Sequence, residues 1–492
     1  MRHRSSKAAT VAVALAITGG VLAPAAAAQR STGRAPASVD GVWRVAGYGA
    51  VLTIEGGRLR EYQTTRISCM KGDSAKRTGP GTYRGADKTV LTVRPTGSSR
   101  MSLHVSGSAG DRQLRRVQAL PATCDRDRPK PKDPVTAFDV FWQSFEENYP
   151  FFAAKGIDWH AVRATYRPRV HADTTRRELF AVFSEMVEPL YDAHVAVFDG
   201  ERRFYRVRPG TTAPSEKLDT KVKKYVVRRD LKGEKPQEFA NGRISYADLP
   251  ASGSASGHGA ASRSGAASGS GSGSGKLGYL RISGFAGYDA KDPAYAAQLA
   301  RLDKALDAVL TRERTTSLAG LMIDLRVNGG GSDALGLHIA GRLTDKAYVA
   351  YRKRTQYTRP RPVPVRPAEN APRYTGPVAL LTGGSTVSAG ETFTQALLDR
   401  PGTTVRIGEP TQGVFSDVMA RKLPNGMEAW LPNEEFLTRT GRTFDGAGIP
   451  PHLRTPVFTK EEFEKNRDSA FDKAVAVLRH QHQPHQHQPH QP

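Results

Sequence analysis

Cysteine is nearly absent: Cys69 and Cys124 are the only two in 492 residues. If the chain is exported, such a pair most simply closes one disulfide, and so small a supply of thiols argues against a cysteine nucleophile. Long apolar runs are missing as well. No segment reaches the roughly 20 apolar residues that a bilayer requires, so no membrane anchor is expected. The apolar stretch at 8–22, led by Arg2, Arg4 and Lys7 and followed by Ala26-Ala27-Ala28, instead has the pattern of an export signal, with a mature chain beginning near Gln29. No cysteine stands at the cleavage point to take a lipid. Apolar residues make up 38% of the chain, below the usual figure of about 45–50%, because Gly, Ser and Pro are concentrated in a few tracts that cannot pack. Acidic residues are outnumbered by basic ones, 48 to 72, and removing the signal takes the formal charge from +24 to +21. Such a field favours anionic partners, cell-envelope polymers among them. Helix-turn-helix, zinc-finger and aromatic nucleic-acid signatures are all lacking, so no specific nucleic-acid partner is expected.

What is present divides the chain into several units. After the signal (1–28), residues 29–131 carry short alternating runs such as Val42-Trp-Arg-Val, punctuated by glycine pairs, which predicts a small antiparallel β domain stapled by Cys69–Cys124. A basic, Pro-containing linker follows at 126–134. Residues 132–200 hold two amphipathic helices, at 136–152 (Phe138, Phe141, Trp142, Phe145) and 174–190 (Leu179, Phe180, Phe183, Met186, Leu190). The second opens on Thr175 with Glu178 three residues later, a capping box. Residues 201–276 contain connecting strands and a Ser/Gly/Ala tract at 251–275, too poor in apolar side chains to order itself and therefore hung between neighbouring strands. Over 277–458 strand-like and helix-like segments alternate, which predicts an α/β domain with a parallel-leaning sheet. Residues 459–492 read as a surface helix and a His/Gln/Pro tail. Its five histidines suit low complexity better than a metal site, and neither a metal nor a cofactor is expected.

Two strand-to-helix junctions stand out. In Met322-Ile-Asp-Leu-Arg-Val-Asn-Gly-Gly-Gly-Ser-Asp, three glycines follow a buried strand, and amides unencumbered by Cβ atoms can converge on an oxyanion. A phosphate cradle would need the Lys-Ser/Thr of a P-loop, which is missing. In Leu380-Leu-Thr-Gly-Gly-Ser-Thr-Val-Ser-Ala-Gly-Glu, Ser388 stands at a helix start, where the macrodipole favours a developing anion. Ser388 with Glu391 also fits an ordinary capping box.

Together the junctions resemble the paired motifs of the tail-specific (C-terminal processing) peptidases, in which Asp-Leu-Arg-x-Asn-Gly-Gly-Gly precedes a Ser-Ala-(Ser/Gly)-Glu carrying the nucleophile. Ile407-Gly-Glu-Pro-Thr-Gln-Gly, Leu423-Pro-Asn-Gly and Gly446-Ala-Gly-Ile-Pro-Pro continue the match in order over 279–455. The resemblance implies a crotonase/ClpP-like sheet-and-helix catalytic domain behind a helical subdomain, and a serine peptidase acting on unstructured polypeptide. Where members with a Ser/Lys dyad carry the base, this chain has Val414, so that dyad is absent unless Lys422 reaches in. Leu190-Tyr-Asp-Ala-His-Val resembles an element of the tricorn-core branch, which implies His194 as general base and an acid at Asp445, with Glu434 or Glu435 as substitutes. The oxyanion donors implied are the amides of Ala389 and of Gly330, or Gly329. Only 202–250 stands where a PDZ domain often lies, and it has no evident carboxylate-binding loop. A retinoid-like binding module on the same scaffold is the non-enzymatic alternative.

Overall fold

The computed structural model describes residues 38–124, 133–249 and 275–481. The expected export signal, most of the linker, nearly all of the Ser/Gly tract and the tail beyond 481 lie outside them. Among the described residues no helix is long and apolar enough to cross a membrane.

The small β unit is a closed barrel of eight strands, Gly41–Val45, Ala50–Glu55, Arg58–Thr64, Cys69–Gly79, Thr82–Gly85, Val90–Gly97, Arg100–Val105 and Arg112–Val117. Each runs antiparallel to the next, and the last returns to the first through Val42↔Val117. Alternation explains the faces: Trp43 and Val45 are buried while Arg44 between them is exposed. Gly56 and Gly57, at φ 55° and 74°, form a two-residue turn closed by the Glu55↔Arg58 pair, a conformation other residues enter at a cost. Closure leaves no free edge, which a list of alternating runs does not disclose. Cys69 and Cys124 are disulfide-bonded with Cα atoms 4.9 Å apart, tying the fourth strand to the segment after the eighth.

Helices Pro134–Asn148 and Arg176–Val187 occupy the predicted segments, joined by Trp159–Tyr166. Asp133 caps the first by accepting from the Val135 amide, and Thr175 and Glu178 form the expected capping box on the second. Their apolar stripes meet in one core, where Phe141 stacks on Phe183 with ring centroids 4.1 Å apart. That core packs on a four-stranded antiparallel sheet in the order Arg202–Tyr205, Ala196–Asp199, Glu428–Pro432, Val418–Lys422. Two of its strands come from residues more than 200 positions further along the chain.

The central sheet has seven strands in the order Gln237–Phe239, Ile244–Leu249, Leu277–Ile282, Gly320–Asp324, Val378–Thr382, Thr404–Gly408, Leu453–Arg454, and the last five run parallel. Ile244–Leu249 pairs antiparallel with Leu277–Ile282, so the Ser/Gly tract does connect neighbouring strands. Helices Tyr295–Val309, Asp333–Gly341 and Ala389–Ala396 cover one face through Leu302, Leu306, Ile339 and Phe393. Glu216–Arg229 and Ser469–Gln481 cover the other. The C-terminal segment, expected as one surface helix, is two, and the second keeps an exposed side at Asp472 and Lys473. The segment breaks into Lys460–Glu464 and Ser469–Gln481, and Ala470, Ala474 and Leu478 are buried on the sheet. The buried Arg326, paired with Asp324 at 2.8 Å and Asp468 at 2.5 Å, locks the approach to that last helix.

Candidate active site

The two glycine-rich junctions meet. Strands Gly320–Asp324 and Val378–Thr382 are parallel neighbours in register (Leu321↔Val378, Asp324↔Leu381), so their outgoing loops leave the same sheet edge. There Val327 and Asn328 pair with Ser385 and Thr386, and the Val387 amide donates to the Asn328 carbonyl at 3.0 Å. Ser388 follows at φ 57°, ψ −122°, whereas the helix-capping residues Thr175 (φ −69°) and Ser332 (φ −86°) are extended. A serine in that region carries strain of about 1–3 kcal/mol, which persists only where the surroundings impose it. The Glu391 and Thr392 amides donate to the Ser388 carbonyl at 2.7 and 3.0 Å, and the Ser388 amide donates to Glu391 Oε2 at 3.3 Å. The result is a sharp strand-to-helix turn with Ser388 at its apex.

Gly330 lies against this turn. At φ 76°, a Cβ there would stand 2.6 Å from the Ser388 Cβ and 3.0 Å from the Ala389 nitrogen, so only glycine fits. Its amide is engaged, donating to Asn328 Oδ1 at 2.9 Å, and that of Gly329 donates to the Ser283 carbonyl at 3.2 Å. Asn328 is wholly buried and takes the nearest donor because an unpaired oxygen there would be costly. The Ala389 amide, in the first turn of its helix, has no acceptor among the described residues. Of the two expected donors, then, Ala389 is unengaged and Gly330 is in place but occupied.

Glu391 ties the helix to the following loop: buried, it accepts from the amides of Gly413 at 2.6 Å and Val414 at 2.8 Å. Burial pushes its carboxyl up to about 7 against the pull of these hydrogen bonds. Arg208 fixes the same loop from outside through the carbonyls of Gln412 and Thr411, at 2.8 and 2.7 Å. Val414 is buried at the position where a dyad lysine would stand, and Lys422 lies on the surface 3.7 Å from Asp73, so neither supplies a base.

His194 is buried just past Tyr191, whose φ of 45° turns the chain toward the strand Ala196–Asp199. Asp192 secures this corner: one oxygen accepts from the His194 amide at 3.0 Å and the other from the Tyr149 hydroxyl at 2.8 Å. The imidazole is held below its ordinary pKa by burial, with the charges of Asp192 and Asp417 acting in the opposite direction. Its Nδ1 is buried without a hydrogen-bond partner among the described residues.

Asp445 accepts from the Phe415 amide at 3.2 Å and lies 3.7 Å from Lys155 Nζ. Burial and the neighbouring charge of Asp192 hold its carboxyl well above the carboxylate range, and Glu391 adds to the effect. Val414 and Phe415 are adjacent, so their amides bring Glu391 and Asp445 to one loop. No hydrogen bond joins Asp445 to His194 among the described residues; the side chain next to it is Asp192. Glu434 is committed to the Tyr48 hydroxyl and to Lys353 at 2.9 Å, and Glu435 to Arg354. Asn328, Asp192 and Asp417 are site residues to which the motifs assigned no role. Asp192 is legible as the Asp of Asp-x-His, but nothing in the sequence marks Asp417. Among the described residues no group of three or more His, Cys, Asp or Glu side chains could hold a metal.

Residues 276–455 match the family model described as Peptidase family S41, and residues 131–188 the Tricorn protease C1 domain. A search of curated proteins gives no match. Among solved structures, a candidate peptidase from Parabacteroides merdae ATCC 43184 aligns at 21% identity over 70% of this chain and 97% of its own, with a TM-score of 0.53. Mature CPAF complexed with lactacystin aligns at 12% identity over 71% and 98%, TM-score 0.48. The photosystem II D1 C-terminal processing protease aligns at 18% over 66% and 93%, TM-score 0.42. The first of these likenesses establishes a shared fold.

Proposed function

We propose, for a chain that carries a family S41 peptidase domain at 276–455 with a tricorn C1 segment before it, that it is an exported serine peptidase cleaving unstructured polypeptides through an acyl-enzyme on Ser388. The observation that carries this reading is the strained Ser388 turn pressed against Gly330 at the N-terminus of a helix. A capping serine needs neither the strain nor a glycine-only neighbour.

His194 is the general base. Its burial keeps the imidazole neutral near pH 7, so it can accept the Ser388 proton during attack and return it to the leaving amine. Water then attacks the acyl-enzyme by the same route. The Ala389 amide donates to the tetrahedral oxyanion, and the Gly330 amide joins it once it turns from Asn328; each such donor is typically worth about 10²–10³ in rate. Asp445 is the acidic member, a positioning residue that works through Asp192, which holds the His194 backbone. Export is supported by the sequence at 1–28 and by the Cys69–Cys124 disulfide.

The test is labelling by a fluorophosphonate together with hydrolysis of β-casein. Labelling and turnover are expected in the wild type and lost in Ser388→Ala; turnover is also lost in His194→Ala. An adduct that survives in folded Ser388→Ala would overturn the assignment.

A further inference from the structure

The barrel is hollow at one end. A cavity of about 620 Å³ opens there, lined from all eight strands. Trp43, Tyr83, Val93 and Met101 belong to the same core but do not line the cavity; they fill the barrel elsewhere. An eight-stranded barrel has just enough interior for its own side chains or for one small guest, and this volume falls within the range of ligand pockets. Leu52, Leu59 and Leu103 supply apolar wall, beside the charged Glu61, Asp73, Arg112 and Asp417.

The open end is seated on the peptidase domain. The Tyr48 hydroxyl donates to Glu434, Asn433 Nδ2 donates to the Gly47 carbonyl at 2.7 Å, and Lys353 donates to the Ala109 carbonyl at 3.0 Å. The peptidase side of the cavity is consequently Asp417, the strand residues Val418 to Ala420, and Asn433. Val418 and Ala420 remain exposed at this opening, Val418 to 38%. Asn433 is itself buried, and its Oδ1 has no hydrogen-bond donor among the described residues.

We infer that this cavity is an anchoring site for the polypeptide substrate, taking an apolar side chain of the bound chain into the barrel. The inference rests on the peptidase reading and names where its substrate is held. Three observations favour a polypeptide as the occupant. The strand Val418–Lys422 is an edge strand whose backbone, among the described residues, pairs with Glu428–Pro432 alone; at its far end the Lys422 amide donates to Gln63 Oε1 at 3.1 Å and the Arg421 side chain to the Tyr48 carbonyl. An open edge beside a side-chain pocket is the arrangement that recognises an extended peptide. Asn433 Oδ1 lacks a donor, which a peptide N–H supplies. Finally, the surface leads to the base: Ala420 pairs with Trp430 and Trp430 with Ala196, two residues after His194. Two strand spacings place Ala196 about 10 Å from Ala420. Trp430 is exposed on that path, as is Tyr205, which also pairs with Ala196. At about 3.3 Å per extended residue, the anchored side chain lies roughly three to five residues from the scissile bond.

The test uses the full chain with Ser388→Ala, so that binding is read without turnover. Fluorescein-labelled β-casein is titrated by anisotropy against this protein and against versions carrying Val418→Asp or Ala420→Arg. Both positions are exposed, and the two substitutions introduce opposite charges, so a shared loss is not a general charge effect. We expect about tenfold weaker binding in each, the size that losing one buried apolar side chain implies. We also expect β-casein to displace 1-anilinonaphthalene-8-sulfonate from the barrel. Affinity within twofold of the parent in both variants overturns the inference, and so does dye that binds but is not displaced, which marks a small-molecule pocket. In enzyme that retains Ser388, the loss appears as a raised KM for β-casein, and cleavage sites carry an apolar residue at the stated spacing. Absence of all turnover with Val418-dependent binding intact would refute the peptidase reading and leave the anchoring site standing.

Discussion

The carboxylate of Glu391 accepts the Val414 amide at 2.8 Å, so the helix that opens at Ser388 and the loop that reaches Asp445 through Phe415 are one rigid unit. Burial raises this carboxyl to about 7 from an ordinary value of 4.5. The folded protein therefore holds a proton that the unfolded chain releases between those values. The resulting stabilisation is complete below about 4.5 and is lost as pH rises through about 7. Glu391→Gln removes that slope from chemical denaturation measured at several pH values. It also leaves an amide group facing backbone N–H donors, so we expect a loss of about 1–3 kcal/mol at pH 5.

On the proposed role of Ser388, its strained backbone sets stability against activity. Ser388→Gly abolishes turnover and, because glycine enters φ 57° freely, raises the unfolding free energy by about 1 kcal/mol relative to Ser388→Ala. Urea denaturation of the two inactive variants measures this difference without interference from autolysis.

On the proposed mechanism, the pH profile reports on His194. Its pKa is depressed by burial, so kcat/KM rises with pH through an apparent value below the ordinary 6.5. Asp192 works against that depression, and Asp192→Asn removes a charge that favours the imidazolium. The acid limb therefore moves to still lower pH, while kcat on the plateau falls as the His194 amide and the Tyr149 hydroxyl lose an ionised acceptor. A limb that stays in place would mean that another group titrates.

Reduction should loosen the barrel selectively. The Cys69–Cys124 bond closes a loop of 55 residues, for which chain entropy gives about 4 kcal/mol. In the Cys69→Ala, Cys124→Ala double variant, hydrogen exchange should accelerate in residues 41–117 before it does in the central sheet. Uniform acceleration across both would show that barrel and peptidase domain unfold as one.

Much of the site was legible because it is local. A serine after Gly-Gly-Ser-Thr-Val and a triple-glycine turn are stretches of backbone whose shape depends on glycine, so their residues announce them. The capping box at Thr175 and Glu178 was readable for the same reason. What stayed hidden depends on partners remote in sequence. The commitment of Gly330 to Asn328, and of Glu434 to Tyr48 some 386 residues away, follows from which buried groups lack water. That the final helix buries Ala470, Phe471, Ala474 and Leu478 on the central sheet was hidden for the same reason, since the strands they meet lie far upstream.

By itself the amino-acid sequence determined the alternating strands of the small β unit, the two helices before residue 200, the disulfide partners and the two glycine-rich junctions, but not the helix Glu216–Arg229, which falls where connecting strands were expected, since periodicity, glycine conformation and cysteine count are properties of neighbouring residues. Tertiary structure alone decided that eight strands close into a hollow barrel, that its open end meets Val418 and Ala420, and that Asp192 rather than Asp445 touches the chain of His194. Those outcomes depend on which surfaces exclude water together, and burial is shared between segments hundreds of residues apart.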